Sequence, residues 1–293
     1  MLAIPGGIAE ILDFKNRRPL ESDRAIIPRP ELLEPLLGAA PDAGALTLEE
    51  VALSFGGVRA IDGLDLEIRP GQVHGLIGPN GSGKTTTLNV ISGYYAQQRG
   101  AVRLNGAALP VFARHMRAHM RIARTFQTPR IVGSASVLEN VMIGGTIDGR
   151  GTFVESLLSL PRHRRDEATL RDTAMLALAA VGLERLAGVR ADRLQHSELR
   201  FTEIARALML RPAFLLLDEP AAGLSAEEIE RLGTLIQAIA RAGTGVLVVE
   251  HHPDLIFDIC HHVTVLNLGK ILAAGTPAEI RAHRDVINAY LGG

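Results

Sequence analysis

Val73-His74-Gly75-Leu76-Ile77 runs without a break into Gly78-Pro79-Asn80-Gly81-Ser82-Gly83-Lys84-Thr85-Thr86, and Leu88, Val90 and Ile91 follow as the apolar side of a helix. A short buried strand, a Gly-x4-Gly-Lys-Thr turn and an amphipathic helix, in that order, form a loop suited to phosphate. The glycines permit backbone conformations that a Cβ would forbid. Successive N–H groups can therefore turn onto phosphate oxygens at the positive end of the following helix. Lys84 brings a point charge to the β and γ phosphates, and the Thr85 hydroxyl can ligate Mg2+. The expected phosphate contacts are Asn80, Gly81, Ser82, Gly83, Lys84, Thr85 and Thr86.

Further along, Phe214-Leu215-Leu216-Leu217-Asp218-Glu219-Pro220 is an apolar strand that ends in two carboxylates. A buried strand finishing in adjacent acids makes sense where that end faces a cation or a proton acceptor. Asp218 is then placed to hold the Mg2+ hydration shell and Glu219 to polarise an attacking water. A third strand, Val246 to Glu250, ends at His251, a donor able to meet a γ-phosphate at the ligand edge of an open α/β sheet. Cys260 with His252, His261 and His262 resembles a metal cluster only superficially. There are no thiolate pairs and no helical His-x3-His spacing, so zinc is not expected.

The 293 residues, 47% hydrophobic and 22% charged, suit one large folded domain or two modest ones. With 31 basic against 32 acidic side chains the net charge is −1, and no global field favours nucleic acid. The single cysteine excludes an intrachain disulfide and fits a reducing compartment. No run of eighteen apolar residues occurs, so any membrane role is peripheral. Met1 to Gly7 is soon followed by Asp13, Lys15, Arg17 and Arg18, unlike a secretory signal. Residues 1–45 carry Pro5, Pro19, Pro28, Pro30, Pro35 and Pro41 and read as a disordered tail or linker. From Leu46 the alternation of Val51, Leu53 and Phe55, then Ile61, Leu64, Leu66 and Ile68, predicts a sheet.

Taken together, these residues resemble the ATP-binding subunit of an ATP-binding cassette (ABC) transporter, and more narrowly the ATPase of branched-chain amino acid importers. The resemblance covers about residues 46 to 293. It rests on the phosphate loop, the acidic strand, His251, Arg124-Thr125-Phe126-Gln127 followed by Val137-Leu138-Glu139-Asn140-Val141, and the ending Gly269-Lys270-Ile271 through Gly275-Thr276-Pro277 to Ala289-Tyr290-Leu291-Gly292. It implies an α/β fold: a P-loop NTPase (RecA-like) core sheet with an antiparallel β edge and an inserted α-helical subdomain over about 114–208. It further implies ATP and Mg2+ as cofactors, Phe55 stacked on adenine, and Gln127 sensing Mg2+ and the attacking water. Glu219, His251 and Gln127 would be the catalytic set, and Thr85, Gln127 and Asp218 the metal set. The implied partners are a second cassette subunit, transmembrane permease subunits and, indirectly, a solute-binding protein, at the cytoplasmic face of a bacterial inner membrane. No nucleic-acid partner is expected, because there is no second cassette, coiled-coil insertion or basic patch; Arg162-His163-Arg164-Arg165 reads as a solvated helix face.

One segment departs from the family pattern. Where relatives carry Leu-Ser-Gly-Gly-Gln, this chain has Leu194-Gln195-His196-Ser197-Glu198, with the register fixed by Arg200 and by Glu203 to Leu208. A Cβ at position 197, the bulkier Gln195 and His196, and an acid at a helix N-terminus all weaken anion binding there. In this family each ATP is gripped by one chain's phosphate loop and the other chain's signature helix. An intact loop beside a degenerate signature therefore predicts an asymmetric heterodimer. The alternatives are an ATP-binding regulator with little turnover and a soluble ABC ATPase acting on nucleic acid.

Overall fold

The computed structural model describes residues 26–38, 44–112, 114–146 and 161–288, with backbone alone over 161–166. Two compact units result, one made of Ala39–Gln127 with Pro212–Gly293, the other of the residues up to Gly38 with Thr128–Arg211.

The first unit is built on the strands that the apolar runs predict. Strands buried on both faces read as near-continuous hydrophobic sequence, and β3 (Val73–Ile77), β7 (Phe214–Asp218) and β8 (Gly245–Val249) are buried at every position. With β6 (Ile122–Arg124), β9 (His262–Asn267) and β10 (Lys270–Gly275) they form one sheet in the order β10-β9-β3-β8-β7-β6, parallel except for the β9–β10 hairpin. A second, antiparallel sheet joins β1 (Leu46–Phe55), β2 (Val58–Ile68), β4 (Arg99–Leu104) and β5 (Ala107–Ala108) in the order β2-β1-β4-β5. Its alternation is interrupted by register shifts between Leu48 and Val51, which return Val51 and Leu53 to the inner face. Leu48, Val51, Leu53, Ile61 and Leu64 then share one core with Leu76, Leu88, Ile91, Phe214 and Val249. Phe55 ends this alternating series outside the core, half exposed.

His74 on β3 lies against this framework with Nε2 2.9 Å from the Thr264 hydroxyl. Burial, with His262 adding to it, pushes the imidazole from 6.5 down to about 4. On acidification the unfolded chain therefore takes up the proton first. This contribution to stability is complete above pH 6.5 and declines as the pH falls towards 4. The gap corresponds to about 3 kcal/mol in full, of which about 2 kcal/mol is lost by pH 5. Denaturant unfolding at pH 7 and pH 5 should show a loss that His74→Gln reduces by about that amount; an unchanged difference would exclude His74 as its source.

The second unit is helical, with α4 (Val137–Ile143), α5 (Pro161–Val181) and α6 (His196–Leu208) packed on one another. Ser136 caps α4: its hydroxyl accepts the Glu139 N–H, and the Glu139 carboxylate accepts the Ser136 N–H in return. Buried Asn140 ties the preceding loop down, accepting from the Val132 N–H at 2.8 Å and donating to the Val132 carbonyl at 3.0 Å. The helical region was expected over about 114–208, whereas its boundary falls at Thr128. Helix α3 (Arg114–His119) and β6 belong with the sheets, because Ile122 to Arg124 pair in parallel with Phe214 to Leu216. Three residues are too few for a strand period to be visible in sequence.

The proline-rich segment also departs from its expected form over the residues described. Pro30–Leu32 make a 3-10 turn and Leu33–Leu37 a short helix, α1, whose Leu33, Leu36 and Leu37 are buried. The Arg29 N–H donates to the Ala180 carbonyl at the end of α5 and its guanidinium pairs with Glu184. Prolines at turn and first-turn positions are compatible with such a helix, and a Leu-Leu-x-x-Leu-Leu pattern supplies its apolar face. Residues 1–25, the side chains of Arg162 to Arg165 and the ending Ala289 to Gly292 lie outside the described residues.

Candidate active site

Strand β3 delivers the chain into the phosphate loop, and α2 (Lys84–Ile91) leaves it. Two glycines are fixed there by close approach. A Cβ on Gly78, at φ +149, would lie 2.1 Å from the Leu266 carbonyl oxygen, and one on Gly83, at φ +107, 2.4 Å from that of Ala60. The loop is further pinned to the β9–β10 turn by the Gly269 N–H, which donates to the Ser82 carbonyl at 3.0 Å. Lys84 is buried, with Nζ donating to the Gly78 and Pro79 carbonyls at 2.7 and 2.9 Å. Burial holds this ammonium below the usual lysine range, while the carboxylates of Glu219 and Asp218 pull the other way.

The residues fit a bound nucleotide. The buried Ser82 hydroxyl has no hydrogen-bond partner among the described residues, and a Cβ at Gly81 would point into open space. Together with Gly83 at the start of α2, which has no side-chain cap, they leave donors for an anion. The candidate Mg2+ set, Thr85, Gln127 and Asp218, is all oxygen, as a hard cation requires. Phe55, half exposed, meets Tyr95 edge to face at 5.2 Å, a geometry that leaves a ring face available for stacking on a base.

The parallel strands β6, β7 and β8 bring the other predicted residues to one edge of the sheet. Glu219 sits just past β7 at φ +48, a left-handed conformation that costs a non-glycine residue energy. Its N–H donates to the Val249 carbonyl at 2.9 Å. Both carboxylate oxygens are held: Gln127 Nε2 donates to Oε2 at 2.7 Å, and His251 Nε2 lies 2.7 Å from Oε1. Gln127, Glu219 and His251, separated by up to 124 positions in sequence, are therefore one hydrogen-bonded cluster. Glu250 is a further residue of this edge, one that the sequence motifs do not single out. It is buried and accepts the Ala221 N–H at 2.6 Å and the His251 N–H at 2.9 Å, so it ties the loop after Glu219 to the histidine. A carboxylate closing an otherwise apolar strand is the signal that could have found it.

Ser225 is the N-cap of α7 (Ala226–Arg241), and its hydroxyl accepts the Glu228 N–H.

In the helical unit, Gln195 stands at the N-cap of α6 and Ser197 is buried. Glu198 lies in the first turn of α6, fully buried, and its carboxylate accepts the N-cap Gln195 N–H at 2.6 Å, so the acid stands at the helix N-terminus as expected. The exposed residues of this turn are Gln195 and His196.

A phosphate loop, an acidic strand end, a glutamine and a histidine converging on that acid, and an antiparallel sheet beside the core define an ATP-binding cassette among P-loop ATPases. Comparison with known proteins agrees. A family model described as ABC transporter matches residues 61–222, and one described as Branched-chain amino acid ATP-binding cassette transporter matches 270–293. This chain belongs to the ABC transporter family, as an ATPase subunit. It is 37% identical over 248 residues to the high-affinity branched-chain amino acid transport ATP-binding protein BraF of Pseudomonas aeruginosa, covering 84% of this chain and 97% of that one. To LivG of Escherichia coli, of the same description, it is 36% identical with the same coverage. A nucleotide-free ATP-binding cassette from an ABC transporter superposes with a TM-score of 0.73 at 29% identity, covering 85% of this chain and 99% of that one. A structure of the ADP conformation of an ATP-binding cassette of an ABC transporter gives 0.73 at 28% identity, over 85% and 98%. No helix among the described residues is long and apolar enough to cross a membrane.

Proposed function

We propose that this chain hydrolyses ATP for an importer of branched-chain amino acids, docked by permease subunits at the cytoplasmic face of the bacterial inner membrane and served indirectly by a solute-binding protein. It would work there as one half of an asymmetric pair of cassettes. The solute class is supported by the names of its relatives and by the match over 270–293. The observation that carries the catalytic reading is the Gln127–Glu219–His251 cluster at the sheet edge that bears Lys84 and Asp218.

In this reading the phosphate loop and Lys84 hold the polyphosphate, and Phe55 stacks on adenine. Thr85, Gln127 and Asp218 hold Mg2+, which supplies charge neutralisation on the phosphates. Glu219 polarises the attacking water, with Gln127 and His251 fixing its carboxylate until phosphate is present to accept from them. The asymmetry is supported by Gln195, His196 and Ser197, which replace the small signature residues.

Steady-state ATP turnover by the purified chain, with Glu219→Gln as blank, tests this. Binding with turnover near the blank is expected for the chain alone, and turnover at least about tenfold higher is expected once a cassette partner with an intact signature is added. Gln195→Ser with Ser197→Gly should raise activity in the assembled pair. Robust turnover by the unmodified chain alone would overturn the asymmetry and leave the ATPase reading intact. Binding without turnover in any assembly would favour a regulator.

A further inference from the structure

Arg124 closes β6, three residues before Gln127, and its guanidinium is almost wholly buried. Nη1 donates to Asn89 Oδ1 and to Ser92 Oγ, each at 2.7 Å. Asn89 lies on α2 and Ser92 caps its C-terminus, so these two bonds anchor the arginine to the helix that follows the phosphate loop. Nη2 donates to Asp218 Oδ2 at 2.9 Å. Two aromatic rings flank the cation, with Cζ 5.0 Å from the centroid of Phe126 and 5.8 Å from that of Tyr94. One side chain thereby joins three elements: the helix of the phosphate loop, the strand leading to Gln127 and the strand ending in the acidic pair.

Stability is a weak reason for such an arrangement. Desolvating two charges offsets most of their attraction, and an apolar pair of similar volume would commonly serve as well. Nε is moreover buried with no partner among the described residues, an added cost. Orientation is a stronger reason. A carboxylate at the end of a strand can rotate about its last bond, and a bond to one oxygen from a rigid, anchored fork removes that freedom. With Oδ2 engaged by Arg124, Oδ1 is the oxygen left to address a cation.

We infer that Arg124 is a positioning residue of the nucleotide site: by bridging Asn89 and Ser92 to Asp218 it sets the orientation in which Asp218 meets Mg2+. This rests on the reading of Asp218 as the metal-facing acid. The Arg124 guanidinium is committed to Asn89, Ser92 and Asp218, so its effect is exerted through how well Asp218 is presented. A lysine keeps the charge but cannot span both sets of acceptors, and partners that orient a ligand carboxylate typically govern metal affinity by 10-fold or more.

The test uses the full chain and a fluorescent, non-hydrolysable ATP analogue, titrated in EDTA and then against Mg2+. Arg124→Lys should leave metal-free affinity within about twofold and raise the Mg2+ concentration for half-maximal response about tenfold. Asn89→Ala and Ser92→Ala weaken the anchor without touching the ion pair and should shift it in the same direction by less, which keeps the proposal testable if Arg124→Lys fails to fold. Asp218→Asn is the reference. If it raises the Mg2+ requirement while Arg124→Lys and the anchor variants do not, the positioning role is wrong and the reading of Asp218 stands. If Asp218→Asn leaves the Mg2+ response unchanged, the reading of Asp218 fails and the inference with it. A fall in metal-free affinity and melting temperature with no separate shift in Mg2+ response would reduce Arg124 to a structural part and overturn the proposal.

Discussion

Glu219→Gln is expected to lower ATP turnover of the assembled transporter at least about a hundredfold while leaving nucleotide affinity nearly unchanged, as loss of a positioned general base does. The amide keeps the size of the side chain and can still accept the Gln127 bond at the position now held by Oε2. It cannot take a proton from water. Retained turnover would show that Glu219 is not the polarising group, whatever its place in the cluster. The backbone offers a second readout. Glu219 sits at φ +48, a conformation that only glycine adopts without strain. Glu219→Gly and Glu219→Ala both remove the bonds to Gln127 and His251, so the difference between them isolates the backbone. The glycine variant should be the more stable by about 1 kcal/mol, although both are inactive. Strain retained at this residue is what a site selected for geometry would carry.

Lys84→Met should weaken ATP binding by about 30-fold to a thousandfold, the range for removing one partner of a buried charge contact, here about 2–4 kcal/mol. Methionine preserves the apolar stem, so lost packing contributes little. The free protein should not suffer equally. Lys84 donates to the Gly78 and Pro79 carbonyls, but it does so from a buried position that disfavours its charge. Loss of the two bonds is partly offset by relief of that desolvation. Equilibrium titration with a fluorescent ATP analogue, alongside melting temperature in its absence, separates the two effects. Unchanged affinity in Lys84→Met would remove this loop from the nucleotide site.

Much of this was legible in the residues. The phosphate loop could be read because its glycines, lysine and threonine are contiguous, so one local backbone shape carries the whole signal. Asp218 and Glu219 could be read because two acids closing an apolar strand are out of place unless a ligand lies there. Phe55 as an exposed ring, by contrast, depended on where the β1 alternation stops, and that depends on register shifts around Glu49 and Glu50 that local pattern does not reveal. The order within the proline-rich segment over residues 26–37 is hidden from local pattern for a related reason. Its leucines are buried only because α5 supplies a surface for them.

Sequence by itself determined the class of chemistry, the existence of the strands that bear it and the unusual signature at Gln195 to Glu198, since each is written in neighbouring residues. Tertiary structure alone decided that Gln127 and His251 grip the two oxygens of Glu219, that Glu250 holds the following loop, that Arg124 joins α2 to Asp218, and that Glu198 faces inward. Those contacts link residues from 3 to 94 positions apart. Most of them arise because parallel pairing of β6, β7 and β8 brings three strand ends to one edge, a consequence of sheet order that no local window of sequence contains.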